Sequence, residues 1–168
     1  AIKKRDGIFK KALLAFNAED FNAAIPLFES VLSIDSQCSP ALVNLGIIFF
    51  KKDDYDKALE YSQQVLFIDP RRVSALNMVG LILMTLGLLT ESLAYFDKAL
   101  AIDKEYESAY LNKGNALIKL NRLDEAVLNL NKAIEISPSS ISAYSSRGQL
   151  FMQMRRFDEA LNDFKQIS

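Results

Sequence analysis

Asp53, Asp54 and Asp56 crowd three carboxylates into four residues, the kind of cluster that can hold a hard cation such as calcium through oxygen ligands. The loop glycine and closing glutamate that an EF-hand needs are missing, so the run reads as a polar turn with a helix cap. Cys38 is the only cysteine, and histidine is absent altogether. Without an imidazole there is no histidine general base, no histidine metal ligand and no triad of that type to activate the thiol. A lone cysteine also excludes an internal disulfide. Arg71-Arg72 and Arg155-Arg156 read as solvated turns. Lys3, Lys4, Arg5, Lys10 and Lys11 make the N-terminal end basic, a face that is either solvated or turned to an acidic partner or a membrane surface. No catalytic residue, metal site or cofactor is expected, so the chain is read as not an enzyme and its function is sought in its surface.

Composition narrows the partners. The 168 residues are 50% hydrophobic with a formal net charge of −1 and a pI near 5.6. Such a balance supplies no global basic field for nucleic acid. The longest apolar run, Met78 to Leu89, falls short of the roughly 20 residues that a membrane-spanning helix needs. The sequence starts at Ala1 without an initiator methionine, and we expect a fragment of a longer chain. These residues leave the compartment open, with the cytoplasm favoured.

The elements that must present this surface follow from a period. Gly46, Gly80, Gly114 and Gly148 recur every 34 residues, which marks stacked supersecondary units unable to bury their apolar faces alone. The units are 5–38, 39–72, 73–106, 107–140 and a truncated 141–168, within one domain spanning 1–168. Position 8 of each unit is small (Ala12, then the four glycines), and so is position 20 (Ala24, Ala58, Ser92, Ala126, Ala160). Small residues there let two helices cross closely. Position 17 is large and apolar, and position 24 reads Phe28, Ser62, Phe96, Leu130, Phe164, side chains that fill the space beside the crossing. Two helices per unit are predicted on either side of a short polar turn. The residues at position 18 (Asn22, Asp56, Thr90, Asp124, Asp158) are read as caps of the second helix. Pro70 and Pro138 are read as stops near position 32, with Ser36 and Lys104 predicting two less sharply defined joints. With Asn22 as the cap, Pro26 falls in the first helical turn and causes only a mild distortion.

A 34-residue helix-turn-helix unit with these landmarks resembles the tetratricopeptide repeat family. Tyr110, Gly114, Leu117, Ala126, Leu130, Ala133 and Pro138 of the fourth unit carry the resemblance most fully. It implies an all-α, right-handed superhelical solenoid of tandem repeats whose first helices line a concave groove. The family positions that face inward bring in Phe9, Leu13 and Phe16 from the first unit. From the second they bring Val43, Ile47, Phe50 and Lys51, and from the third Asn77, Leu81 and Met84. The fourth unit adds Leu111, Asn115, Ile118 and Lys119, and the fifth Ser142, Ser145, Gln149, Met152 and Gln153. Leu13, Ile47 and Leu81 precede Asn115 and Gln149 at one position, so the inner face turns from apolar to polar at Asn115.

The candidate site is therefore the apolar stretch through Asn115, together with Asn44 and Asn112, whose amides could meet a peptide backbone. The implied partner is a protein or peptide with an apolar segment, extended or helical. A plain alternative is that these side chains pack on neighbouring helices. Some family members grip a C-terminal carboxylate with a lysine and asparagine clamp. Here Phe9, Leu13, Ser74 and Met78 surround Asn44, and Asn77, Leu81, Ser142 and Ser146 surround Asn112, so that clamp is absent. Two further readings remain: the substrate-recruiting arm of a larger glycosyltransferase of the O-linked N-acetylglucosamine type, and an oligomerisation scaffold. Self-association is expected through the C-terminal end, where no polar helix follows to cover Phe164 and Ile167. Leu86, Leu88 and Leu89 give the central turn an apolar edge that is either a second contact or ordinary packing.

Overall fold

The computed structural model describes residues 1–168 and contains ten helices and no strand. In order they are α1 (Ile2–Asn17), α2 (Phe21–Ile34), α3 (Ser39–Lys51), α4 (Tyr55–Ile68) and α5 (Val73–Thr85). Then follow α6 (Leu89–Ile102), α7 (Glu107–Lys119), α8 (Leu123–Ile136), α9 (Ile141–Gln153) and α10 (Phe157–Gln166). Every predicted unit holds one helix pair, and the fold is an all-α repeat. The chain forms two compact units, Ala1–Ala75 and Leu76–Ser168, whose boundary lies in α5. In the first, α1 packs on α2, α2 on α3 and α3 on α4; in the second, α6 to α10 pack in sequence, and α7 also meets α9.

The small residues at position 8 have a visible cause. A Cβ added to Gly80 would lie 2.5 Å from the ring of Phe96, and one on Gly114 would lie 2.8 Å from Leu130. At Gly148 the ring of Phe164 would be 2.7 Å away. Positions 8 and 24 thus face each other, and the glycine makes room for the large partner. Gly46 faces Ser62, whose Oγ would be an ordinary 3.4 Å from the added carbon. Ser62 is buried, and its hydroxyl donates to Ala58 O at 2.8 Å, so the serine is satisfied within its own helix. In the first unit Phe28 fills the corresponding place, meeting the rings of Phe9 at 5.8 Å and Phe16 at 6.5 Å. A cluster of Leu42, Val65 and Ala75 continues that core, and one of Leu93, Phe96, Leu117, Leu130 and Leu150 forms the core of the second unit.

The turn inside each helix pair is the same at all five places. Glu19, Asp53, Gly87, Asn121 and Arg155 all have positive φ, between 56° and 82°. The next residue's N–H reaches back five residues: Asp20 to Ala15 O, Asp54 to Phe49 O, Leu88 to Leu83 O, Arg122 to Leu117 O and Arg156 to Phe151 O. This is a Schellman closure, which normally recruits glycine, yet only one of the five turns has it.

The structure corrects three expectations about helix ends. Second helices begin at position 17, so the caps are Asp20, Asp54, Leu88, Arg122 and Arg156. The Asp20 and Asp54 carboxylates accept from Ala23 N at 3.1 Å and Lys57 N at 3.2 Å. Asn22, Asp56, Thr90, Asp124 and Asp158 lie one residue into the first turn instead, because the Schellman closure sets the start of the second helix. Pro26 accordingly lies in the second turn of α2, inside the helix, where its missing N–H removes one intrahelical bond. Finally, the joints after Ile34 and Ile102 match the one after Ile68. Asp35, Asp69 and Asp103 each leave the helix in an extended conformation. Each also accepts from the N–H two residues on, at 3.2, 3.0 and 2.9 Å. That aspartate turn replaces the proline stop, so Ser36 and Lys104 leave the joint as sharp as Pro70 does.

Candidate functional site

In the first unit, α1 carries Phe9, Leu13 and Phe16, and α3 carries Val43, Asn44, Ile47, Phe50 and Lys51. Spacings of three and four residues put each set along one helix face. All are half-buried except Lys51, which is exposed. Several already have partners within the chain. Phe9 and Phe16 meet Phe28, Phe50 meets Tyr55 at 5.6 Å, and Val43 packs on the Leu42 cluster. Asn44 Nδ2 donates to Pro40 O at 2.8 Å, so one of its amide donors is committed to its own helix. Lys51 Nζ lies 3.2 Å from Glu19 and 5.5 Å from the Phe21 ring centre. Beside Val43, Leu13 and Ile47 are the half-buried aliphatic groups of this face.

In the second unit the predicted residues lie on α5 (Asn77, Leu81, Met84) and α7 (Leu111, Asn112, Asn115). Asn77 is buried, 9% exposed, and its Oδ1 accepts from Asn112 Nδ2 at 3.1 Å. The two amides therefore join α5 to α7. Leu111 and Met84 pack against the Phe96 cluster.

Met84 and Asn115 also line an open cavity of about 380 Å³ that extends past the predicted stretch. Ile118 and Lys119 of α7 and Ser146, Gln149, Leu150 and Gln153 of α9 complete its wall. The side chains of Asn115, Lys119, Ser146, Gln149 and Gln153 are free of hydrogen bonds to the chain's own groups. The inward positions of the fourth and fifth units already point to most of these residues. A site defined by apolarity stops short of them, and Ser146 has the same repeat position as Asn44 and Asn112.

The polar cluster around Arg147 is internally neutralised. Arg147 donates to both oxygens of Asp163, at 2.8 and 2.6 Å, and to Asn131 Oδ1 at 2.7 Å. Hydrogen bonding to Asp163 raises the guanidinium above its ordinary value despite burial. The Phe151 ring lies 5.6 Å from Arg147 and 4.5 Å from Arg156, whose own partner is Glu159. Two cations therefore face two carboxylates in this cavity of about 290 Å³. Burial pushes the phenols of Tyr61 and Tyr106 up, and a hydrogen bond to Asp53 does so for Tyr55. Asp54 is occupied as a cap, and no group of three or more acidic or thiol side chains is arranged to hold a metal ion.

Family comparison agrees with this architecture. The tetratricopeptide repeat description matches residues 15–79 and again 73–106, and the TPR repeat description matches 114–155. The chain belongs to the tetratricopeptide repeat family. Among solved structures, PilW, a widely conserved type IV pilus biogenesis factor, is 28% identical with a TM-score of 0.89. That alignment covers 99% of this chain and 77% of PilW. A thermophilic TPR protein of Thermus thermophilus is 21% identical with a TM-score of 0.85, covering 96% of this chain and 89% of that one. YrrB, described as a TPR protein with an unusual peptide-binding site, is 20% identical with a TM-score of 0.67, covering 95% and 82%. Comparison with curated proteins finds no match. These likenesses establish the fold of the tetratricopeptide repeats here. No helix of the chain is long and apolar enough to cross a membrane.

Proposed function

We propose that this tetratricopeptide repeat chain is a non-catalytic protein-interaction module that holds an extended peptide of a partner on its first helices. The observation that carries the reading is the cavity between α7 and α9. Asn115, Gln149 and Gln153 offer side-chain amides, with Ser146 and Lys119 beside them, over a base of Met84, Ile118 and Leu150. A primary amide both donates and accepts, so it can meet the N–H and C=O of a peptide main chain whatever its side chains are. The apolar base then receives side chains, and the half-buried Leu13 and Ile47 of the first unit offer a second, drier surface for an apolar segment. The description of YrrB as peptide-binding supports this choice.

The packing alternative draws on Phe9, Phe16 and Phe50, which already contact rings of their own unit. Binding therefore rests on the aliphatic and amide groups rather than on those rings. Burying three or four large side chains contributes roughly 5–10 kcal/mol gross, against association costs of about 4–15 kcal/mol, so apolar burial alone supports at most tens-of-micromolar affinity for a single peptide and the amides must add to it. A phage-displayed random peptide library selected on the folded chain tests the reading. We expect peptides with apolar residues whose capture is lost on Asn115→Ala with Gln149→Ala, and others whose capture is lost on Leu13→Asn with Ile47→Asn. Peptides that bind all variants equally overturn it.

A further inference from the structure

The exposed face of α1 carries a charge pattern that peptide binding does not use. At about 100° per residue, Lys10, Lys3, Leu14, Gly7, Lys11 and Lys4 fall, in that angular order, within an arc of about 120°. All six are exposed, Leu14 at 71%. On the opposite side Ala12 is buried, and Phe9 and Phe16 meet Phe28 of α2. The four lysines have no carboxylate within ion-pair distance, because the helix's one acid, Asp6, is taken by Arg5 at 2.8 Å. With five cations and one carboxylate, α1 has a net charge of +4 in a chain whose net charge is −1. Charge is thus concentrated on one face.

We propose that this face of α1 docks on an anionic phospholipid surface. The lysines span about 12 Å along the axis on the flank of a helix, a shape suited to a flat partner. Leu14 sits inside the lysine arc, where it can enter the headgroup layer while the flexible ammonium groups stay at the phosphate level. Nucleic acid fits less well, since the arc offers neither an aromatic ring nor an amide to the bases and would set Leu14 against phosphates. An acidic protein would meet the charges but leaves the exposed leucine unexplained.

The test uses the whole chain and sedimentation with large vesicles, either phosphatidylcholine alone or phosphatidylcholine with an equal part of phosphatidylserine. Binding is expected only to the second kind, and it should fall with added salt. Each of Lys3→Gln, Lys4→Gln, Lys10→Gln and Lys11→Gln should reduce partitioning by about fivefold, and Leu14→Ser should reduce it with the charge unchanged. A charge-matched control at Lys52, Lys98, Lys104 and Lys165, all exposed, should bind like the unaltered chain. Circular dichroism verifies that every variant folds. Failure to sediment with phosphatidylserine vesicles overturns the proposal, as does equal loss in the control. Capture by immobilised polyglutamate without vesicle binding reassigns the face to an acidic protein.

Discussion

Replacing Gly80 with alanine and Gly46 with alanine is the same chemical change at the same repeat position, yet the two should shift stability in opposite directions. In the middle of a helix, alanine is favoured over glycine by about 0.5–1 kcal/mol. At Gly46 that term acts alone, because the added carbon meets Ser62 Oγ at 3.4 Å, Ala58 O at 3.7 Å and Tyr61 Cβ at 3.8 Å, all ordinary contacts. At Gly80 the carbon would sit 2.5 and 2.8 Å from two ring atoms of Phe96, which is fully buried. Carbon atoms prefer about 3.5–4.0 Å, so the ring must retreat by about 1 Å inside a closed core. Overpacking of this kind costs about 1–3 kcal/mol, which exceeds the propensity gain. Gly46→Ala should therefore stabilise by about 0.5–1 kcal/mol and Gly80→Ala destabilise by about 1–2 kcal/mol. Urea titration followed by far-ultraviolet circular dichroism measures both. A double-mutant cycle with Phe96→Ala isolates the ring, since the penalty of Gly80→Ala should disappear once the ring is gone. If both alanines destabilise equally, or if the penalty survives Phe96→Ala, the glycine is required by backbone approach and the argument from position 24 is wrong.

The Arg147 and Asp163 pair offers a second test. Asp163→Asn leaves a largely buried guanidinium without its counter-charge. Arg147 keeps 19% side-chain exposure, so the loss should fall somewhat below that for a fully buried pair, at about 2–3 kcal/mol. Adding Arg147→Met should recover most of it in the same urea assay. Acid dependence gives a third. Hydrogen bonds from Arg122 and Arg156 hold Glu125 and Glu159 below the usual carboxylate range. A carboxyl that ionises more readily folded than unfolded contributes stability above its unfolded pKa, about 4.3 for glutamate, and loses it as pH falls through the lower folded value. Thermal midpoints recorded across that acid range should fall less steeply for Glu125→Gln with Glu159→Gln, and an unchanged slope would refute this assignment.

How much of this was legible in the sequence depends on which atoms carry the information. Positions 8 and 20 could be read from the text alone as a close helix crossing, with large side chains at 24 beside it, because side-chain volume is a property of the residue; that Gly80 meets Phe96 directly is what the structure adds. The start of the second helix could not be read in the same way. Asp56 and Asp124 are good capping residues by type, but the cap lies two residues earlier because the turn is closed by main-chain atoms, whose preferences Arg122 and Leu88 do not display. The joints were hidden for a related reason: Asp35 and Asp103 do locally what proline does visibly at Pro70. In the candidate site, apolarity identified Leu13, Ile47 and Leu81 but also drew in rings that the core already uses. It stopped at Asn115, although the cavity continues through Lys119, Gln149 and Gln153, because the side chains that line it there are polar.

The left-handed turn that closes each helix pair has a consequence for how such a chain can change. Glutamate, aspartate, glycine, asparagine and arginine occupy the same conformation at the five turn tips, so that conformation is imposed by the helices on either side. A tip residue is then uncoupled from the architecture that holds it. Successive copies of a duplicated unit can drift at that site, acquiring or losing charge, without renegotiating their packing, and whole units can be reordered with their turns intact. Each tip is a position where new contacts can be tried at little risk to the fold.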